Sequence, residues 1–275
     1  MNNTPIPARD VVVVGASTGG VEALRQLVAG LPSGFPAAVL IVMHIGTNNT
    51  ILPSLLARTS ILPVRQAREG DLVEAGRILV APPDLHLSIR REGEAYRVVL
   101  ARIAKENHTR PAIDPLFRSA AAVVGERAIG VILTGALDDG TAGLAAIKAC
   151  GGLVVVQDPD EALAPDMPIS AIDNVEVDHV VRLAEMPPLL QRLIDARQAG
   201  AALKPPAGAR LGADRKPVCL GGSGDGQPGP VSQAVDFHVS GMSRHAVGNS
   251  GPAAAALPLS YRPCLHCRQS GDAAG

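Results

Sequence analysis

The sequence predicts an α/β protein with a doubly wound, mainly parallel sheet, helices on both faces, a β-hairpin insertion and a disordered C-terminal tail. Short apolar runs alternate with stretches of helical periodicity, and strands that alternate with helices pair in parallel. Hydrophobic residues are 47% of the chain while aromatics are 2% and Trp is absent. The core is therefore built from Val, Leu, Ile and Ala, which suits strands buried on both faces.

The first predicted strand is VVVV at 11–14, followed by a glycine turn and by Val21, Leu24, Leu27, Val28 and Leu31, whose spacing predicts an amphipathic helix. VLIVM at 39–43 and ILVA at 78–81 are the next strands. LHLSIR at 85–90 and YRVVLA at 96–101 flank the polar loop Arg91 to Ala95 and predict the hairpin. Asp114-Pro115 reads as an N-cap followed by proline at the first helical position, opening LFRSAAAVVG. VILT at 131–134 is a buried strand, Ala142 to Cys150 a helix stopped by Gly151-Gly152, and LVVV at 153–156 a further strand. After about residue 198 the chain becomes rich in Gly, Pro, Ala and Ser without either structural period, and such a segment buries too little apolar surface to offset its ordering entropy. Residues 1–197 are read as the domain and 198–275 as a mostly disordered tail.

Net charge is −1, from 25 basic and 26 acidic residues, which argues against nucleic acid or a membrane surface as a partner held by bulk electrostatics. No charged and apolar leader opens the chain, no run of about 18 apolar residues exists to enter a membrane, and four scattered cysteines are no secreted disulfide framework. These features predict a cytoplasmic protein.

The turn after the first strand, Gly15-Ala16-Ser17-Thr18-Gly19-Gly20, admits two chemistries. A dinucleotide site needs G-x-G-x-x-G, and Ser17 stands where the second glycine is required. The turn does match G-x-S-x-G, in which a sharp strand-to-helix bend lifts a serine above the sheet. The helix N-terminus then offers backbone N–H groups, notably that of Thr18, where an oxyanion would form. A nucleophilic serine needs a base at the same sheet edge, and the second strand ends directly in His44. The plainer role for such a histidine is a hydrogen bond to a loop. The run ending Thr134-Gly135-Ala136-Leu137-Asp138-Asp139-Gly140 then supplies two carboxylates before a helix. One of them can cap the helix while the other orients the imidazole, and residue chemistry does not say which does what. The chain order Ser, His, Asp differs from that of ordinary α/β-hydrolases.

The blocks VVVVGASTGGVEAL, IVMHIG, VAPPDLHLSI, RPAIDPLFRSAA, GVILTGALDDGTAGLAAIKACGG and QDPDEALAPDMPISAI resemble, in order and rough spacing, those of the CheB family of chemotaxis protein-glutamate methylesterases, over about residues 9–195. The resemblance implies a doubly wound catalytic domain that hydrolyses γ-glutamyl methyl esters on receptor helices, releasing methanol, and in some members deamidates glutamine. It implies Ser17 as nucleophile, His44 as base and Asp139 as the acid, with Thr18 and the Ala136 backbone at the oxyanion site, and no cofactor or metal. The implied partners are the methylated cytoplasmic domains of chemoreceptors, and, for a complete chain that opens at the catalytic domain, the expectation is a receiver-domain or kinase partner in trans. The chain departs from the family pattern at Met43-His44-Ile45-Gly46, at Leu137, where the family has glycine, and at His108-Thr109, where its histidine is displaced by one residue. These departures motivate two rivals, a catalytically weak adaptor that binds receptor or kinase, and a nucleotide-binding module. In the tail, Cys264-Leu265-His266-Cys267 has a zinc-like spacing without the second C-x-x-C pair that would close a four-cysteine site.

Overall fold

A computed structural model describes residues 10–44 and 51–199. The chain runs through β1 (Asp10–Ala16), α1 (Gly20–Ala29), β2 (Ala37–Met43), α2 (Leu52–Ala57), β3 (Val64–Gln66) and β4 (Ile78–Val80). A hairpin of β5 (His86–Glu92) and β6 (Ala95–Ala101) follows, then α3 (Ile113–Val124) and β7 (Ala128–Ile132). The domain closes with α4 (Thr141–Ala149), β8 (Leu153–Gln157), α5 (Asp166–Asn174), β9 (His179–Val181) and α6 (Met186–Gln198).

Seven strands form a sheet in the order β3-β4-β2-β1-β7-β8-β9, each pair parallel, and β5 and β6 pair antiparallel outside it. Side chains alternate across the sheet with the period of two that a strand imposes. Val11 and Val13 of β1 pack on the face covered by α3, α4 and the hairpin, whereas Val12 and Val14 pack on the face covered by α1 and α6. All four valines are fully buried, and burying a side chain of this kind contributes about 1.5–3 kcal/mol. The central strand is thus a rigid base for the turn that follows it.

The connection β1-α1-β2 steps one way from β1 and β7-α4-β8 steps away on the other side. Right-handed crossovers then put α1 and α4 on opposite faces. The direction of winding reverses at β1, and the crevice beyond the carboxyl ends of β1 and β7 is where open sheets of this kind place ligands.

The predicted fold class matches the structure, and several details are corrected. The hairpin loop is two residues rather than five, because Glu92 pairs with Ala95 and leaves only Gly93, at φ +60°, and Glu94 at the bend. β7 runs over 128–132 instead of 131–134: the Thr134 N–H is taken by the Gln157 side chain at 2.8 Å, and the backbone pairing with β8 ends at Ile132. Asp114 is not an N-cap: α3 starts two residues earlier than expected, with Ala112 in the cap position, and the Asp114 carboxylate reaches away to other partners. α6 extends through Gln198, one residue past the boundary read from composition. Residues 45–46, beside His44, and the tail from residue 200, with its cysteines, lie outside the described residues.

Candidate active site

Each functional side chain sits where a strand ends. Ser17 follows β1, and its N–H donates to the Thr134 carbonyl at 3.0 Å, which fastens the serine turn to the loop after β7. The Thr134 hydroxyl donates to the Thr18 carbonyl at 2.9 Å and accepts the Ala164 N–H at 2.8 Å, so the loop before α5 is tied to the same point. On the second strand, the His44 N–H donates to the Ala16 carbonyl at 3.2 Å, which sets the imidazole beside Ser17.

The imidazole bridges the other two groups. His44 Nδ1 lies 3.1 Å from Ser17 Oγ, and His44 Nε2 lies 2.7 Å from Asp139 Oδ2. Asp139 is 2% exposed and His44 14% exposed at the side chain. An ionised carboxylate only accepts hydrogen bonds, so the network assigns the proton to Nε2 and leaves the Nδ1 lone pair facing the serine hydroxyl. The two ring nitrogens are used in the opposite sense to the common serine-protease arrangement, where Nε2 faces the serine.

Asp139 fills all its acceptor positions. Oδ2 also accepts the Ile113 N–H at 2.7 Å, and Oδ1 accepts the Asp114 N–H at 3.2 Å and the Asn107 side-chain N–H at 2.7 Å. The first two of those donors are orphan groups of the first turn of α3, whose positive end favours a carboxylate. Burial alone would raise the Asp139 pKa, but the hydrogen bonds from His44, Ile113 and Asn107 outweigh it and hold the carboxyl below its ordinary value. Asp114 in turn accepts the Gly143 N–H of α4 at 2.7 Å, so Asp139 caps the helix that holds Asp114 while Asp114 caps the helix that follows Asp139. The anticipated division between Asp138 and Asp139 is not what the geometry holds. Asp138 is exposed, and Asp139 both faces the imidazole and caps α3. Burial, helped by the neighbouring Asp139 charge, leaves Asp114 with a raised pKa.

The Thr18 and Ala136 N–H groups, placed at the oxyanion position by resemblance, make no hydrogen bond among the described residues. Gly135 precedes Ala136, and an added Cβ there would stand 2.9 Å from the Ser17 Cβ and 2.1 Å from the Met167 sulfur. Both contacts are too close to accept, so Gly135→Ala is expected to displace the serine turn. Any reaction that runs through the Ser17 hydroxyl should then slow about 10²-fold, the cost of a displacement near 1 Å at a reacting group. Leu137 takes the left-handed conformation, φ +68°, that the family's glycine would hold, at a cost of about 1–2 kcal/mol for an L-residue. Its side chain is 66% exposed.

The sequence did not single out Asn107, and it offered Asp114 only as a helix cap. ENHTRP carries a signal for the first of these, since asparagine tolerates left-handed backbone and turns. His108 makes no hydrogen bond among the described residues.

A parallel sheet with serine, imidazole and carboxylate linked in series at its carboxyl edge places the chain among doubly wound α/β domains that gather polar groups where the winding reverses. The family model for CheB methylesterase matches residues 12–190. The chain belongs to the CheB methylesterase family. A protein-glutamate methylesterase/protein-glutamine glutaminase of Pyrococcus abyssi is 35% identical over 196 residues, covering 71% of this chain and 53% of that protein. One from Anaeromyxobacter dehalogenans, numbered 6, is 44% identical over 201 residues, covering 71% and 56%. The chain therefore spans about half the length of these two curated relatives. A Leptospira interrogans relative, 38% identical over 185 residues, is covered over 94% of its length and 67% of this chain. The crystal structure of the Thermotoga maritima CheB methylesterase catalytic domain superposes with a TM-score of 0.66 at 34% identity, covering 67% of this chain and 98% of that one. No helix among the described residues is long and apolar enough to cross a membrane.

Proposed function

We propose that this domain is a serine esterase that demethylates glutamate γ-methyl esters on the cytoplasmic regions of chemoreceptors or related signalling proteins, releasing methanol, and that it also accepts glutamine. The observation that carries this reading is the single imidazole hydrogen-bonded to both Ser17 and Asp139 at the edge where the sheet reverses its winding. In the proposed reaction His44 Nδ1 takes the Ser17 proton as Oγ bonds to the γ-carbonyl carbon. The N–H groups of Thr18 and Ala136 receive the oxyanion. The C–O bond to the methyl ester oxygen breaks, and the imidazolium returns its proton to form methanol. Water, deprotonated by the same nitrogen, then cleaves the glutamyl ester of Ser17 and restores the hydroxyl. Asp139 stays ionised throughout and stabilises the imidazolium. A receiver-domain or kinase partner in trans would supply control.

The test is methanol release from a receptor cytoplasmic fragment carrying labelled γ-methyl esters. Release by the wild-type domain at a rate well above buffer is the expected result. Release no faster than buffer, with the fragment bound, would instead favour the adaptor.

A further inference from the structure

Behind the acid lies an amide that none of the proposed steps requires. Asn107 Nδ2 donates to Asp139 Oδ1 at 2.7 Å and to Asp114 Oδ2 at 3.0 Å. The two carboxylates are 2% and 6% exposed, while Asn107 itself lies at the surface above them. Backbone strain is spent on reaching this position: Asn107 has φ +47° and His108, next to it, φ +63°. Asparagine and histidine both adopt this region several times more readily than most residues, yet two such residues in succession still carry strain. The turn is braced on both sides. Thr109 N–H donates to the Glu106 carbonyl at 2.8 Å, Glu106 pairs with Arg118 of α3, and Arg110 is clamped by Asp84 at 2.5 and 2.9 Å.

The chemistry of the group matters as much as its place. Two buried acids in one site repel when both are charged, and a bridging donor is needed. A lysine or arginine would supply one but would neutralise the charge on which an imidazolium at His44 depends. An amide supplies two N–H bonds and no charge. It also occupies the fourth acceptor position of Asp139, so that Oδ2 remains directed at His44.

We propose that Asn107 is a positioning residue for the reaction assigned above, its amide holding Asp139 in register with His44 and bridging it to Asp114. The role rests on the esterase reading for its purpose, but its physical content is the geometry of the His44–Asp139 pair.

The test therefore uses two readouts on Asn107→Ala and Asn107→Asp. The first is the downfield proton resonance of His44 Nε2–H in the hydrogen bond to Asp139, assigned by its disappearance in His44→Gln. The second is steady-state methanol release, with thermal unfolding as a control. In Asn107→Ala the resonance should shift or broaden, and kcat should fall about ten- to a hundredfold at unchanged KM. Asn107→Asp matches asparagine in size but adds a third carboxylate, and should lose more than the alanine variant. An unmoved resonance overturns the proposal whatever the activity does, including the case where activity and melting temperature fall together. Wild-type behaviour of Asn107→Asp also overturns it. If the wild-type domain releases no methanol, the esterase reading fails while the resonance still decides the role of Asn107.

Discussion

Ser17→Ala is expected to lower methanol release roughly 10⁶-fold, and adding His44→Gln to it to cost almost nothing more, because a nucleophile and its base act as one unit. Ser17 Oγ lies 3.1 Å from His44 Nδ1. A serine hydroxyl is a weak nucleophile until its proton has somewhere to go. Without the base the hydroxyl is inert, and without the hydroxyl the base has nothing to activate, so either single loss removes the same step. What survives in all three variants is binding and the oxyanion donors, which do not need Ser17 side-chain chemistry. Rates for the two single variants and the double should therefore agree within a few-fold. A double variant far slower than both singles would show the two residues acting independently. Melting temperatures should stay close together, since Ser17 and His44 are only partly buried.

Asp139→Asn is the second large effect, with kcat falling about 10⁴-fold. The asparagine keeps one acceptor oxygen but replaces the other with an NH2 group, while His44, Ile113, Asp114 and Asn107 all present donors to this position. Wherever the amide turns, N–H faces N–H. The cheapest relief is the other imidazole tautomer, which puts a proton on Nδ1 and leaves no lone pair for the serine. Stability should also change with pH in a defined sense. The Asp139 pKa in the folded protein is below its unfolded value, so its ionised form stabilises the fold above about pH 4, and that contribution is lost as pH falls through the folded pKa. Asp114 has the opposite sign: its pKa is raised, so its contribution is fully present below about pH 4 and is lost as pH rises through the folded value. Urea denaturation across this range should show the difference between wild type and Asp139→Asn shrinking as pH drops below about 4.

Serine, histidine and aspartate were legible in the chain because each follows an apolar run that announces a strand, and parallel strands deliver their carboxyl ends to one edge. The helix of 20–29 was legible for the same reason, since its apolar residues keep a period near 3.6. What stayed hidden had no period to show. β3 and β9 are three residues each, too short to display alternation. α5 and α6 carry Pro168 and Pro187-Pro188 within their first turns, which read as interruptions although proline is tolerated there. The misreading of Asp114 is the most instructive. Local rules assign a cap to the nearest helix, but here the donors of α3 are satisfied by Asp139 from 25 or 26 residues away, and Asp114 serves α4 in exchange. Asn107 belongs to the same exchange, and a left-handed turn that aims one amide leaves no trace in hydrophobic pattern.

The central claim is that Ser17 forms a covalent ester with the substrate glutamyl group. A peptide carrying an activated γ-aryl glutamyl ester should acylate faster than the enzyme deacylates, so that the intermediate accumulates for acid quench and peptide mass mapping. The account predicts a glutamyl-peptide adduct on the Ser17 peptide during the burst, absent in Ser17→Ala. A stoichiometric burst of aryl alcohol with Ser17 unmodified, or with the adduct on another residue, would contradict it.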